Sequence, residues 1–184
     1  AHVSAELRRL LNRHHAENPQ WRPLGESSSD LMISDDIKES LAIVSVDGEG
    51  EDCDSSEYKM PPGPSLQIPA SARWRCSEVL FAESHNIAAM VLRSIEATPV
   101  ELHPLLFRNV VLSGATTLLS GFPERLQREL SCAAPPDTFV NVAAHPLRKY
   151  DVWVGGTLLA NAFPREVTAE QHARGDHSNL RKVY

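Results

Sequence analysis

Cysteine is scarce in this chain: Cys53, Cys76 and Cys132 are the whole supply, and no two have CxxC spacing. Three scattered thiols cannot build a disulfide framework, and the odd count points to reduced thiols in the cytosol or nucleus. No apolar run approaches the ~20 residues that cross a bilayer, so no membrane partner is expected. There is no Asn-x-Ser/Thr sequon. Positive charge is in deficit: 18 Lys and Arg stand against 24 Asp and Glu, a net charge of -6. A phosphate backbone rewards a basic face, so nucleic acid is at most an indirect partner. Phosphate-loop (GxxxxGK[ST]) and nucleophile-elbow (GxSxG) motifs are missing, as is any Cys/His nucleophile context. His172 and His177, with Asp176 beside the latter, lack the spacing of a zinc site on a helix. No catalytic residue and no metal ligand is therefore assigned.

What is present suffices for a core. Apolar residues make up 42% of the 184 positions, room for one large domain or two small ones. "AHVSAELRRLLNRHH" opens inside a helical pattern, unlike a signal peptide, and leads us to expect part of a longer protein. Ser4 can cap this first helix, whose Leu7, Leu10 and Leu11 share a face, and Pro19 and Pro23 end it. Asp30 or Ser34 can cap a second helix carrying Ile33, Ile37 and Leu41. "LAIVSV" reads as a strand, the acidic "DGEGEDCDSSEYKMPPGPS" as a loop, and "LQIP" as a short strand. "SEVLF" begins a helical stretch and "NIAAMVLRSI" is a helix, with a short helical connection between Pro99 and Pro104.

Two strand–loop–helix units follow. Strand "NVVLS", turn "GATT" and a helix from about Pro123 make the first; "TFVNVAA", "HPLRKY" and "VWVGGTLLANAF" make the second. Such repetition implies a parallel sheet with right-handed crossovers, whose ligands sit at the carboxyl ends of the strands. The small turn Ser113–Thr117 is either a plain strand-to-helix joint or a place where bare backbone meets a planar or anionic ligand. Lys38 and Glu39 read as a solvated helix face, and Lys149 as a cation after a strand end. Gly155-Gly156 in a helical pattern implies close packing or a bend. His14 and His15 suit a helix end. The polar "PREVTAEQHARGDHSNLRKVY" carries little pattern.

Four segments share an order and spacing with one known family. "RNVVLSGATTLLSGFPERLQREL" resembles the N-x-V-L-S-G-G-T-T-M-x-x-G-x-x-x-R-x-x-x-E motif of actin and actin-related proteins. "LRKYDVWVGGTLLA", "DDIKESLAIVSVD" and "RWRCSEVLF" resemble three more of its motifs, and the final "LRKVY" is similar to its basic-aromatic ending. The resemblance implies an α/β, ribonuclease-H-like fold of the actin and heat-shock ATPase type, C-terminal half only, with a mainly helical outer subdomain. Residues 1–70 would be the outer ATP-cleft subdomain, 71–150 an incomplete inner subdomain, and 151–184 a C-terminal strip of the neighbouring subdomain.

The resemblance also implies ATP or ADP with magnesium or calcium in a cleft between two halves. Gly114, Ala115 and Thr116 would lie against the nucleotide, and Leu118 and Leu119 would border base or ribose. Lys38 and Glu39 would meet the adenosine end, with Lys149 beside the base. The phosphate hairpins and metal-holding aspartate of the family belong to its N-terminal half, which becomes the first expected partner, followed by other actin-family or assembly subunits. The expected setting is cytoplasmic and cytoskeletal, with a nuclear chromatin assembly as the alternative.

Departures from the family pattern point to a divergent actin-related protein. Ala115 replaces a glycine, Asp35 replaces an adenosine-side arginine, and Leu119 replaces an aromatic. The segment between "EVLF" and "NIAAM" is short, and "REVTAEQHARGD" lacks the Trp and Tyr of the corresponding signature. The alternatives are a conventional polymerising actin-type ATPase and a pseudo-nucleotide-binding scaffold with a dead site. The parent protein is expected to be at most a slow ATPase, and this chain alone lacks the phosphate and metal loops.

Overall fold

The computed structural model describes residues 2–17, 22–50, 53–60, 63, 65–82, 85–162 and 169–175. Pro19, Asp176, His177, most of 164–184 and the "LRKVY" ending lie outside them.

Helix α1 (His2–Glu17) buries Leu7 and Leu11 of the expected stripe, with Leu10 only partly buried beside them and Val3 added to the buried face. Ser4 lies within its first turns, so it is no cap; its hydroxyl donates to Asp35 Oδ1 at 2.6 Å. Helix α2 (Ser28–Leu41) is capped by Ser27, which accepts from the Asp30 N–H. The expectation of Asp30 or Ser34 there fails for a local reason. Asp30 is already in the first turn, and the buried Ser34 hydroxyl donates back to the Asp30 carbonyl at 2.6 Å. Ile37, on the same helix, is fully buried.

"LAIVSV" does not form a full strand: it is reduced to a parallel bridge between Ile43 and Ser120. The acidic segment, expected to be all loop, contains β1 (Ser56–Lys59). It pairs antiparallel with β2 (Ser65–Ile68), with Ser56 opposite Ile68 and Lys59 opposite Ser65. Tyr58 makes the difference: its ring is buried and its hydroxyl donates to the Asp36 carboxylate of α2. Helix α3 (Ala70–Glu78) begins earlier than "SEVLF" suggests, and Leu80 and Phe81 continue it only as turns. It packs along α1, as does α2.

Asn86 caps α4 (Ile87–Glu96) through the Ala89 N–H. After a 3-10 turn comes α5 (His103–Arg108), with Pro104 in its first turn. Strand β3 (Val110–Val111) leads through the glycine turn into α6 (Phe122–Ala133), which buries Phe122, Leu126 and Leu130 against α4. Strand β4 (Val142–Ala143) pairs parallel with β3, with Val110 opposite Val142. The parallel arrangement follows from the two crossover units, although each strand is shorter than its apolar run. A 3-10 turn then enters α7 (Asp151–Ala162), and α8 (Ala169–Ala173) follows. No helix of the described residues is long and apolar enough to cross a membrane.

Residues 43–44 bind α3 to the start of α6. Ile43 N–H donates to the Arg73 carbonyl, the Ser77 hydroxyl donates to the Ile43 carbonyl, and Val44 N–H donates to the Ser120 carbonyl at 2.7 Å. Gly121 permits this approach: with φ +82°, a Cβ there would stand 2.1 Å from the Val44 carbonyl oxygen. The glycine pair of α7 behaves otherwise. Among the described residues nothing lies within 4 Å of a Cβ built on Gly155 or Gly156, so there they serve no close packing. Helix α7 buries none of its residues, and Trp153 is 72% exposed.

Candidate functional site

The last turn of α2, the turn that follows β3 and the turn that follows β4 face one another across a cleft of about 290 Å³. That is close to the lower end of the ~300–1,000 Å³ typical of small-ligand sites. Of the residues singled out from the sequence, Lys38, Glu39, Ala115, Thr116, Leu118, Leu119 and Lys149 line it. Gly114 adjoins this lining as the residue that opens the turn.

One wall follows from α2. Ile37 and Ser34 point into the core, which turns Lys38 and Glu39 toward the cleft side. Lys38 is held: its ammonium donates to Asp35 Oδ1 at 2.9 Å and to Ser4 Oγ at 3.3 Å, leaving its side chain 17% exposed. The Ser4 hydroxyl and then Lys38 keep the Asp35 carboxyl below its ordinary pKa. Asp35, where an arginine was the family expectation, thus anchors α2 to α1 and draws the Lys38 charge toward itself. Glu39 points the other way and meets Lys149 across the cleft, Oε2 to Nζ 3.7 Å.

The opposite wall is the glycine turn. Gly114 adopts φ +94° and ψ 153°, a region essentially reserved for glycine. A Cβ built there meets nothing within 4 Å, so the chain requires glycine at this point for its conformation and leaves the space beside it open. Residues Ala115–Leu118 close as a 3-10 turn, with the Thr117 N–H and hydroxyl both donating to the Gly114 carbonyl. Ala115 and Thr116 are exposed along it, and Leu119 is buried as its floor.

Several lining residues escaped the sequence reading. Ser40, Leu41, Ala42 and Ile43 continue the first wall, and Ser120 extends the second. Arg73 of α3 enters from below; its Nε donates to the Leu41 carbonyl at 3.0 Å. It belongs to the quoted "RWRC" segment, so the motif was visible while its role was not. Arg148 lies behind the cleft, 7% exposed. Its Nε donates to Thr117 Oγ1 at 2.9 Å, Nη2 to the Thr117 carbonyl at 2.6 Å and Nη1 to the His145 carbonyl at 2.9 Å. Its own carbonyl accepts from Gly114 N–H at 2.9 Å.

The chemistry of this lining is asymmetric. Leu41, Ala42, Ile43 and Leu119 supply apolar contact; the Ala115–Thr116 main chain supplies polar edges. Two of the cations stand in acid–base pairs, Lys38 with Asp35 and Lys149 with Glu39, while Arg73 donates to the Leu41 and Asp54 carbonyls. Such a site suits a flat, neutral heterocycle carrying hydroxyl groups, with charge-assisted hydrogen bonds at its rim. Among the described residues, no group of three or more His, Cys, Asp and Glu is placed to hold a metal ion. A family model described as Actin matches residues 11–165, most of the chain.

Proposed function

The chain belongs to the actin family, and on that premise we propose that it contributes the adenosine side of an ATP- or ADP-binding cleft. One observation carries this reading: seven of the eight residues that the family resemblance assigns to the nucleotide line a single cleft, and Gly114 opens the turn beside it. Leu118 and Leu119 would border the base or ribose, opposite the α2 end. Glu39 accepts from ribose hydroxyls, and Lys149 sits beside the base. The open side of Gly114 brings peptide groups close to the ligand.

The finer architecture belongs to the same proposal. Residues 1–70 form the outer subdomain of a ribonuclease-H-like fold, 71–150 most of the inner one, and 151–184 a strip that packs on the N-terminal half. Exposed Val152, Trp153, Leu158 and Leu159 on α7 support a covered strip. The phosphates and the magnesium or calcium ion fall to that N-terminal half, where the cation neutralises phosphate charge when bound. The nucleotide acts chiefly as a hinge between the halves, with hydrolysis slow or absent. The whole protein is a divergent actin-related protein of a cytoskeletal or chromatin assembly, working beside other actin-family subunits in the cytoplasm or nucleus.

A second reading, a scaffold with a dead site, draws support from Asp35, which holds Lys38 back by a 2.9 Å contact. Thermal unfolding of the protein that carries this chain separates the two. Mg-ATP at 100 times its Kd should stabilise it by about 2.7 kcal/mol. No shift at saturating Mg-ATP would favour the scaffold.

A further inference from the structure

We infer that Arg148 is a positioning residue for the cleft: it sets the shape of the Gly114–Leu118 wall and the place of Lys149 without touching the ligand. The inference rests on the nucleotide reading above. Arg148 is buried, yet its described donor bonds all end on neutral oxygens, two on Thr117 and one on His145. A buried cation served only by dipoles is an expensive way to fill space. An apolar side chain would fill the same volume more cheaply, so the guanidinium is explained by what it connects.

It connects both turns of one wall. Its carbonyl holds the N–H of Gly114, where the turn begins, and its guanidinium holds Thr117, where the turn closes. The third donor fixes the His145 carbonyl, the start of the turn that carries Lys149. Arg148, the residue immediately before Lys149, thereby clamps the glycine turn at both ends. A planar fork with fixed donor directions can meet these acceptors together; a lysine ammonium on a flexible stem cannot. Lys149, by contrast, is exposed and faces Glu39, so the pair divides the work between frame and contact.

The test uses the full-length protein with Arg148→Lys, Arg148→Met and Thr117→Val. Two readouts are taken: amide hydrogen exchange and calorimetric titration with ATP. Arg148→Lys should speed exchange at Gly114, Thr117 and Leu119 by roughly tenfold or more while α6 keeps its protection, as local opening requires. ATP affinity should fall by roughly tenfold, and Thr117→Val, which removes one acceptor of Arg148 and the hydroxyl's bond to the Gly114 carbonyl but leaves the guanidinium in place, should lose less, about threefold. If Arg148→Met does not fold, the other two variants carry the comparison. Affinity within about twofold of wild type in Arg148→Lys would overturn the inference. So would exchange that rises equally across α6 and the turn, the mark of a purely global role. Wild-type protein that binds no ATP would sink the nucleotide reading instead; turn-confined exchange would still support the clamp, and uniform exchange would still overturn it.

Discussion

Lys149 and Glu39 face each other across the cleft with Nζ and Oε2 3.7 Å apart, one from the turn after β4 and the other from the end of α2. Both side chains are about half exposed, so the pair contributes little to stability, about 0–1 kcal/mol. On the proposed nucleotide reading, its value lies in the ligand. Lys149→Met should leave the thermal midpoint almost unchanged and weaken ATP binding roughly tenfold, as the loss of a charge-assisted contact implies. Paired differential scanning fluorimetry and titration calorimetry check this. A large loss of stability with full affinity would show that the pair is structural.

Gly121 should be the most intolerant glycine of the cleft. Alanine there combines a left-handed φ of +82° with a Cβ 2.1 Å from the Val44 carbonyl oxygen. We expect Gly121→Ala to cost more than about 3 kcal/mol, beyond the ~1–3 kcal/mol of conformational strain alone. Gly114→Ala meets no neighbour and should cost the strain alone. Urea denaturation of both variants measures the difference; equal losses would contradict it.

Arg125 is the buried centre of a second charge cluster. It pairs with Glu129 at 2.7 Å and Glu78 at 3.3 Å, donates to the Ser45 carbonyl and stacks 4.9 Å from the Phe81 ring centroid. Arg125→Met should destabilise by roughly 3–5 kcal/mol, because it leaves Glu78 without its counter-ion. Burial already raises the Glu78 pKa against the pull of Arg125. A carboxyl whose folded pKa is raised costs stability as pH climbs from its ordinary value through that raised one. The variant should therefore lose further stability above about pH 4.5, and Glu78→Gln in the same background should remove that slope. Denaturation midpoints between about pH 4 and 8 decide it.

Asp30 gives the opposite sign. The Arg22 guanidinium, then the Ser27 hydroxyl, with Gly25 N–H assisting, holds its 4%-exposed carboxyl far below the usual range. A depressed carboxyl contributes stability above its ordinary pKa near 4 and loses it as pH falls toward the depressed value. Wild type should thus soften between about pH 4 and pH 2, and Asp30→Asn should show a shallower acid dependence. Matching acid slopes for the two proteins would contradict this origin.

These contacts also show which parts of the fold the sequence could reveal. Helices α4 and α6 were plain because apolar side chains recur at helical spacing, and α4 also has Asn86 as its cap. The β1 strand was hidden because its acidic, proline-flanked surroundings read as solvent-facing. The tie from Tyr58 to Asp36, which fixes it against α2, spans 22 residues. The cap of α2 proved to be Ser27, not Asp30 or Ser34, because several nearby polar residues can each cap a helix, and only packing chooses among them.

The cleft was legible in a different way. Periodicity placed Lys38 and Glu39 on a solvated face, and family resemblance supplied the reason to bring them to Gly114 and Lys149. Arg73 and Arg148 stayed unread because Arg73 donates to backbone carbonyls, and Arg148 to two carbonyls and a hydroxyl 31 residues away, none of which a sequence marks. The open helix α7 shows the reverse case. Its glycine pair suggested packing, but the surface that would pack against it is not among the described residues.

On the proposed reading, adenosine lies against the Ala115–Thr116 main chain, between the end of α2 and Lys149. Photolabelling the full-length protein with 8-azido-ATP, followed by peptide mapping, tests it most directly. Label is expected within 38–43, 114–120 or at Lys149, suppressed by excess ATP. ATP-protected label confined to other segments, or no ATP-protected label at all, would contradict it.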